Sequence, residues 1–299
     1  MTKQYKSGYV ALLGRPNVGK STLLNHLIGQ KLSITSRKPQ TTRHQILGIK
    51  TTEDTQFIFV DTPGLHKGGK QALHRYLNRA AQSIIQDMNV IVFVVEAKQW
   101  NEEDDIVLSH LEHCECPVVL AINKIDLVKD KESLLPYLEN VSAKYDFAGV
   151  MPISANKNIQ LTELLEKVRE NLPESDAYYP EDQITTRSSR FIAAEMIREK
   201  IVRSLGDELP YATTVEIEKF DDTPKLLNIH ALITVERDNQ KAIVIGKGGE
   251  RIKKIGMQAR KELQGFFEKK VNLKTWVKVR QGWSDDERAL QQLGYIDEF

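Results

Sequence analysis

The octet Gly14-Arg15-Pro16-Asn17-Val18-Gly19-Lys20-Ser21 limits what this chain can fold into more than any other stretch. It has the spacing G-x-x-x-x-G-K-S, follows an apolar run at residues 9–13 and opens a helical pattern at 22–28. Such a turn lets successive backbone N–H groups converge on phosphate oxygens beside a helix N-terminus. The fold that hosts it is an α/β domain with a mostly parallel, doubly wound sheet. Runs rich in Val and Ile at 56–60, 90–95 and 118–122 supply further strands of the kind buried on both faces. Leu161, Leu164, Leu165 and Val168 have helical spacing.

This alternation stops at Asn171-Leu172-Pro173. Residues 1–172 are therefore expected to form one domain, and the polar, proline-bearing stretch 173–190 a linker. Residues 191–299 read as a smaller α+β domain. A helix at 191–204 precedes strands at 215–220 and 229–235, a helix–glycine loop–helix, and a last strand at 271–279. At 299 residues the chain is long enough for two cores.

The octet assigns a phosphate cradle to Gly14, Asn17, Val18, Gly19 and Thr22. Lys20 would bridge the β- and γ-phosphates and Ser21 would ligate Mg²⁺. The base is read from Asn123-Lys124-Ile125-Asp126, just after the run 118–122. A carboxylate at Asp126 can accept from guanine N1–H and the 2-amino group, neither of which adenine offers. Asn123 would hold the loop and meet the base edge, and the Ser154-Ala155 backbone would meet guanine O6. Asp61-Thr62-Pro63-Gly64 ends the run 56–60. Asp61 is expected to hold Mg²⁺ through water, and the Gly64 N–H to sense the γ-phosphate. Residues 33–44 and 61–80 are the candidate switches. Thr42 is the preferred Mg²⁺ ligand in the first, with Thr41 an open alternative. GTP or GDP is thus the expected ligand.

A second glycine loop, Gly246-Lys247-Gly248-Gly249, lies between two helical patterns. G-x-x-G at such a place lets backbone approach and clamp about four nucleotides, as in KH modules. Total charge is balanced, with 42 basic and 41 acidic residues, but residues 241–280 hold twelve Lys/Arg against three acids. Lys247, Arg251, Lys253 and Lys254 are the candidate phosphate contacts. A solvated helix face with a glycine turn is the plain alternative, and the clustering of charge around the loop favours RNA. Trp276 and Trp283 are either core residues or stacking platforms.

Other chemistry finds little support. Cys114 and Cys116 form a lone C-x-C, poor for zinc, and His44, His66 and His74 lack metal-ligand spacing. The opening MTKQYKSGYV carries no apolar signal core, and the apolar run 90–95 is too short to span a bilayer, so a cytoplasmic protein is expected.

With these elements in order, the chain resembles the Era family of bacterial GTPases. The resemblance rests on GRPNVGKSTLLN (14–25), QTTRHQILGI (40–49), DTPGLH (61–66), NKID (123–126), ISA (153–155), YYPEDQ (178–183), IGKGGERIKKIG (245–256) and TWVKVRQGW (275–283). It implies a C-terminal type II KH domain that binds the 3′ end of 16S rRNA, and a role in small (30S) subunit assembly. It also implies peripheral contact, in some members, with the inner face of the cell membrane. K⁺ is a second candidate cofactor, since related GTPases with Asn at position 17 use it to hold K⁺; a plain turn residue is the alternative. Leu65 stands where many GTPases carry a water-orienting glutamine, so slow intrinsic hydrolysis is expected. That leaves a rival reading, an RNA-binding protein or RNA chaperone whose nucleotide site only senses. A GTPase of tRNA modification is less supported, because neither cysteine suggests modification chemistry.

Overall fold

Strand β4 (Val90–Glu96) is buried at every residue but its last, as a strand covered on both faces requires. Around it lie β1 (Lys6–Leu13), β2 (Ile46–Thr51), β3 (Thr55–Asp61), β5 (Val118–Asn123) and β6 (Gly149–Pro152), in the order β2-β3-β1-β4-β5-β6. All pairings are parallel except β2 with β3. Helices α1 (Lys20–Ile28), α2 (Glu102–Leu111) and α3 (Leu134–Ser142) lie between the strands, and α4 (Leu161–Asn171) follows β6. Leu13, Val60, Phe93, Ile122, Leu111 and Val141 share one buried cluster. The carboxyl ends of β1, β3 and β5 deliver Gly14, Asp61 and Asn123 to one sheet edge, on either side of the point where strand order reverses.

The computed structural model describes residues 4–36, 38, 41–63, 84–112, 114–130, 132–205 and 213–293. They fall into two units. The first contains the sheet above and extends to Thr186; the second contains Ile34–Thr41 and the chain from Arg187. Two differences from the sequence reading follow. The stretch 173–186, expected as linker, is tied to the first unit: Pro173 O accepts from Ser7 N (3.2 Å) and Ile184 O from Ile49 N (2.8 Å). The Gln56 side chain adds bonds to the Tyr178 and Tyr179 backbone. The segment 34–41, expected within the first domain, groups with the second.

The second unit runs α5 (Ser189–Ser204), β7 (Thr213–Asp222), β8 (Leu226–Val235), α6 (Asp238–Ile245), α7 (Glu250–Phe267), β9 (Lys270–Val279) and α8 (Glu287–Gln292). The sheet order is β7-β8-β9, antiparallel then parallel. This is the α-β-β-α-α-β order of a KH-type domain. Ile255, Ala259 and Leu263, spaced at helical intervals, put one face of α7 in the core. Trp283 is fully buried, which settles it as a core residue, whereas Trp276 is 38% exposed. Among the described residues no helix is long and apolar enough to cross a membrane, and no group of three metal-ligating side chains occurs.

Candidate nucleotide site and glycine loop

Both ends of the phosphate loop demand glycine. Gly14 follows β1 with φ 148°, and a Cβ there would stand 2.3 Å from the Val94 carbonyl oxygen. Gly19 caps α1 with φ 108°, and its Cβ would stand 2.3 Å from Asn123 Nδ2. Between them Asn17 is exposed in the left-handed region, φ 64°, and Val18 is buried. Lys20 is buried, and its ammonium donates to Gly14 O (2.7 Å) and Arg15 O (2.9 Å). Burial lowers its pKa to about 8, against the opposing pull of Asp61. Thr22 follows, half-buried on α1.

Two hydroxyls meet at Asp61, and a third meets one of them. Ser21 Oγ and Ser33 Oγ each donate to Asp61 Oδ2 at 2.7 Å, and Ser21 Oγ lies 2.8 Å from Thr42 Oγ1. Asp61 is fully buried and its Oδ1 has no partner. Burial pushes this carboxyl above its ordinary range, and the Ser33 and Ser21 bonds and the Lys20 charge pull it back. A buried carboxylate with an orphan oxygen beside two hydroxyls is a set of hard oxygen donors suited to Mg²⁺. Thr42 is the threonine at Ser21; the Thr41 hydroxyl donates instead to Lys38 O at 2.7 Å. Thr62 and Pro63 are buried, and Thr62 Oγ1 donates to Leu12 O (3.1 Å). Gly64, Leu65 and His66 lie outside the described residues.

At the base end, Asn123 is a brace. Its Nδ2 donates to Val18 O (2.8 Å) and its Oδ1 accepts from Ala155 N (2.9 Å). The Ser154-Ala155 backbone, expected at guanine O6, thus lies beside Asn123. Asp126 is half-exposed; its Oδ1 accepts from Ser154 Oγ at 2.5 Å, which fixes the carboxylate plane. Lys124, with φ 66°, pairs with Glu96 at 2.7 Å.

In the second unit, Gly246, Gly248 and Gly249 all have positive φ, 75°, 59° and 79°. A Cβ on Gly246 would press on Arg251 Cβ at 2.7 Å, while at Gly248 and Gly249 nothing lies within 4 Å. The first glycine is thus needed for the turn, and the later two leave bare backbone open to a strand. Lys247, Lys253 and Lys254 are exposed, and none has an ion pair among the described residues. Arg251 is exposed too, and its guanidinium donates to Ile243 O. Ile243 is itself 38% exposed beside the loop.

Residues 9–124 match the family model described as 50S ribosome-binding GTPase, and residues 208–284 match that of the KH domain. The chain is 58% identical over 292 residues to GTPase Era of Ectopseudomonas mendocina, covering 98% of each chain. It is 55% identical over 296 residues to GTPase Era of Pseudomonas fluorescens, covering 99% of each. The chain belongs to the Era family of GTPases. Its fold matches a crystal structure of Era in complex with MgGDPNP and nucleotides 1506–1542 of 16S ribosomal RNA. The TM-score is 0.93 and the identity 37%, over 97% of this chain and 99% of that one. An Aquifex aeolicus Era variant bound to GDP and aluminium fluoride matches with the same figures.

This Era-family GTPase carries two charged groups that sequence reasoning missed. Arg15, a variable position of the loop motif, donates from Nε to Asp104 Oδ2 (3.1 Å) and lies 3.5 Å from Glu96, which in turn holds Lys124. Asp104 is fully buried at the N-terminus of α2, where it also closes a capping box with Asn101. The chain Asp104–Arg15–Glu96–Lys124 therefore links the phosphate loop to the guanine loop. Removing one partner of a buried pair costs about 3–5 kcal/mol. Only the Asn101-x-x-Asp104 spacing hinted at any of it.

The second group lies on α5, where Glu195, Arg198 and Glu199 are all buried. Glu199 Oε1 accepts from Thr35 N (3.1 Å) and Thr35 Oγ1 (3.2 Å), and Arg203 Nε donates to Thr35 O (3.0 Å). Arg198 Nη2 donates to Thr41 O at 2.5 Å while its guanidinium grips Glu195. Lys38 donates to Leu205 O. The middle of the first candidate switch is thus held within the second unit, and its flanks, Ser33 and Thr42, reach Asp61 and Ser21.

Proposed function

We propose that this GTPase is a nucleotide-driven switch that grips the 3′ region of 16S rRNA and assists assembly of the small ribosomal subunit. The observation that carries this reading is the strap 34–41. The residues flanking it, Ser33 and Thr42, bond to Asp61 and Ser21, and Thr35 and Thr41 within it bond to α5. A change at the γ-phosphate would move Thr42 and Ser33 and so be felt by Thr35 and Thr41. The related Era structure, which holds both MgGDPNP and 16S rRNA, supports the pairing of ligands.

In this reading Gly14, Asn17, Val18, Gly19 and Thr22 cradle the phosphates, and Lys20 leaves its two carbonyl partners for the β- and γ-oxygens. Ser21, Thr42 and, through water, Asp61 would hold Mg²⁺, which when bound would supply positive charge against that developing on the phosphoryl group. Gly64 senses the γ-phosphate, and Asp126 reads guanine. Asn17, exposed at the loop, is the residue that would help place K⁺. Leu65 cannot orient water, so intrinsic turnover is slow and rises when the RNA or subunit is engaged.

The Lys20 pKa gives a pH dependence with a definite sign. Free protein holds this lysine at about 8, below its ordinary 10.5, because burial disfavours the ammonium. Bound phosphates favour the ammonium and raise the value. Between the two values, binding takes up a proton, so GTP affinity falls as pH rises above about 8. Titration calorimetry at pH 9 in buffers of different ionisation enthalpy should report proton uptake. Proton release would contradict this assignment of Lys20.

The experiment for the whole reading is ultraviolet crosslinking in cells with sequencing of bound RNA, wild type against Gly248→Asp. Open space at Gly248 admits an aspartate, a residue that tolerates its left-handed φ at a cost of about 1 kcal/mol, and its charge then opposes phosphate. Crosslinks near the 16S rRNA 3′ end that vanish in the variant are expected. Crosslinks scattered over other RNAs, or indifferent to the variant, would overturn it. Phosphate release measured with and without small subunits, in K⁺ and in Na⁺, separates a turning-over enzyme from a silent sensor.

A further inference from the structure

Among the described residues, the helices leave open the part of one sheet face around His230, Leu232 and Trp276, while Thr214 and Thr234 farther along it are buried. Along β8, Leu227, Ile229, Ala231, Ile233 and Val235 are fully buried, whereas Asn228, His230 and Leu232 between them are partly exposed. The β8–β9 register sets Asn272, Lys274 and Trp276 beside these three, on the same face. Trp276 is 38% exposed, and its ring meets His230 edge-to-face at 5.9 Å. Asn272 donates to Asn228 at 3.0 Å. Lys274 and Lys278, two residues either side of Trp276, are exposed and make no ion pair among the described residues.

β9 is an edge strand, and lysines on an edge guard against strand pairing. That accounts for the charges but not for an exposed tryptophan fixed between them by a histidine. Acids do not cancel the lysines. Asp221, on the same face of β7, is already paired with Lys219 at 2.8 Å. Glu216 faces Leu232 and is half-buried; burial raises its pKa, and the charges of Arg280 and Lys278 pull it back, so Lys278 feels this acid without forming an ion pair with it. The result is an aromatic ring flanked at about 7 Å on each side by an exposed lysine that makes no ion pair among the described residues. That is the pattern by which single-stranded nucleic acid is held without sequence readout, one base stacked and its phosphates met by lysines.

We propose that this open sheet face, centred on Trp276 with His230, Lys274 and Lys278, is a second binding surface for single-stranded RNA, separate from the glycine loop. The inference rests on the RNA-binding reading above. The glycine loop joins two helices that pack on the sheet, and it clamps about four nucleotides. A longer strand leaving it has β9 as the edge to cross before reaching Trp276.

The test uses the full chain with fluorescein-labelled RNAs of about four and about twelve nucleotides from the 16S rRNA 3′ end. The longer RNA should bind more tightly than the shorter. Trp276→Ala should lower affinity for the longer about tenfold and leave the shorter unchanged, while Trp276→Phe should retain most of the gain. Lys274→Ala with Lys278→Ala, a surface change that spares the ring, should weaken only the longer RNA and flatten its salt dependence. If Trp276→Ala harms both lengths, folding is at fault and the lysine pair decides the matter. Unchanged affinity for the longer RNA in the lysine variant and in Trp276→Ala, with Gly248→Asp still abolishing binding, would overturn this surface alone. Failure of wild type to bind either RNA would overturn the RNA reading, and this one with it.

Discussion

Replacing Asp126 with asparagine is expected to weaken GTP binding about a thousandfold and to admit xanthosine triphosphate in its place. The carboxylate can accept from both guanine N1–H and the 2-amino group. Hydrogen bonds to a charged group are worth about 1.5–3 kcal/mol each. Loss of one such bond, together with the donor–donor clash that replaces it, is about 4 kcal/mol, close to three decades of affinity. An asparagine amide turns one acceptor into a donor, which opposes the 2-amino group of guanine but suits the carbonyl that xanthine carries there. The side chain should keep its place, because Ser154 Oγ donates to Oδ1 at 2.5 Å and can donate to an amide oxygen equally well. Stability should therefore change little, Asp126 being half-exposed. Competition of GTP and xanthosine triphosphate for a fluorescent nucleotide reads both effects. Unchanged preference for GTP would remove Asp126 as the reader of the base.

The parts of the site that chemistry spaces rigidly were legible in the sequence. Gly14, Gly19 and Lys20 must lie at fixed separations to enclose a phosphate, and the structure adds why no other residue serves at the two glycines. Asp61 and Asn123 were legible because each ends an apolar run, and parallel strands deliver their ends to one edge. What long-range pairing decides was not legible. Ser33 and Asp61, or Thr35 and Glu199, are far apart in the chain and obey no period. The stretch 173–186 has linker composition, yet Gln56, Ile49 and Ser7 supply its hydrogen bonds from the distant first sheet. Strand β2 escaped notice because an antiparallel edge strand is partly exposed and here carries Gly48, packed under Leu24 and Ile28. Thr41 and Thr42 are neighbours, so only the fold could send one hydroxyl to Ser21 and the other to Lys38. Trp276 and Trp283 differ in nothing a sequence records, and burial alone separates them.

Gly14→Ala should destabilise the first unit far more than Gly29→Ala, although both glycines have positive φ. At Gly29, φ is 81° and nothing lies within 4 Å of an added Cβ, so the cost is that of a left-handed residue, about 1 kcal/mol. At Gly14, φ is 148° and the added Cβ would stand 2.3 Å from the Val94 carbonyl oxygen, part of a central strand with no room to retreat. Backbone strain of about 1–3 kcal/mol adds to overpacking of about 1–3 kcal/mol, so about 4 kcal/mol in total. For a unit of this size that lowers Tm by about 10 °C. The functional loss should be larger than the loss of stability, because Gly14 opens the proposed phosphate cradle and its carbonyl also seats the Lys20 ammonium before nucleotide arrives. Any shift that relieves the contact with Val94 moves that seat. Thermal unfolding and GTP titration of the two variants should therefore diverge, with Gly29→Ala binding within a few-fold of wild type and Gly14→Ala not binding measurably. If both variants lost about 1 kcal/mol and both bound GTP, the junction of β1 with β4 would yield freely. The loop's position would then depend on the Arg15–Asp104 pair alone.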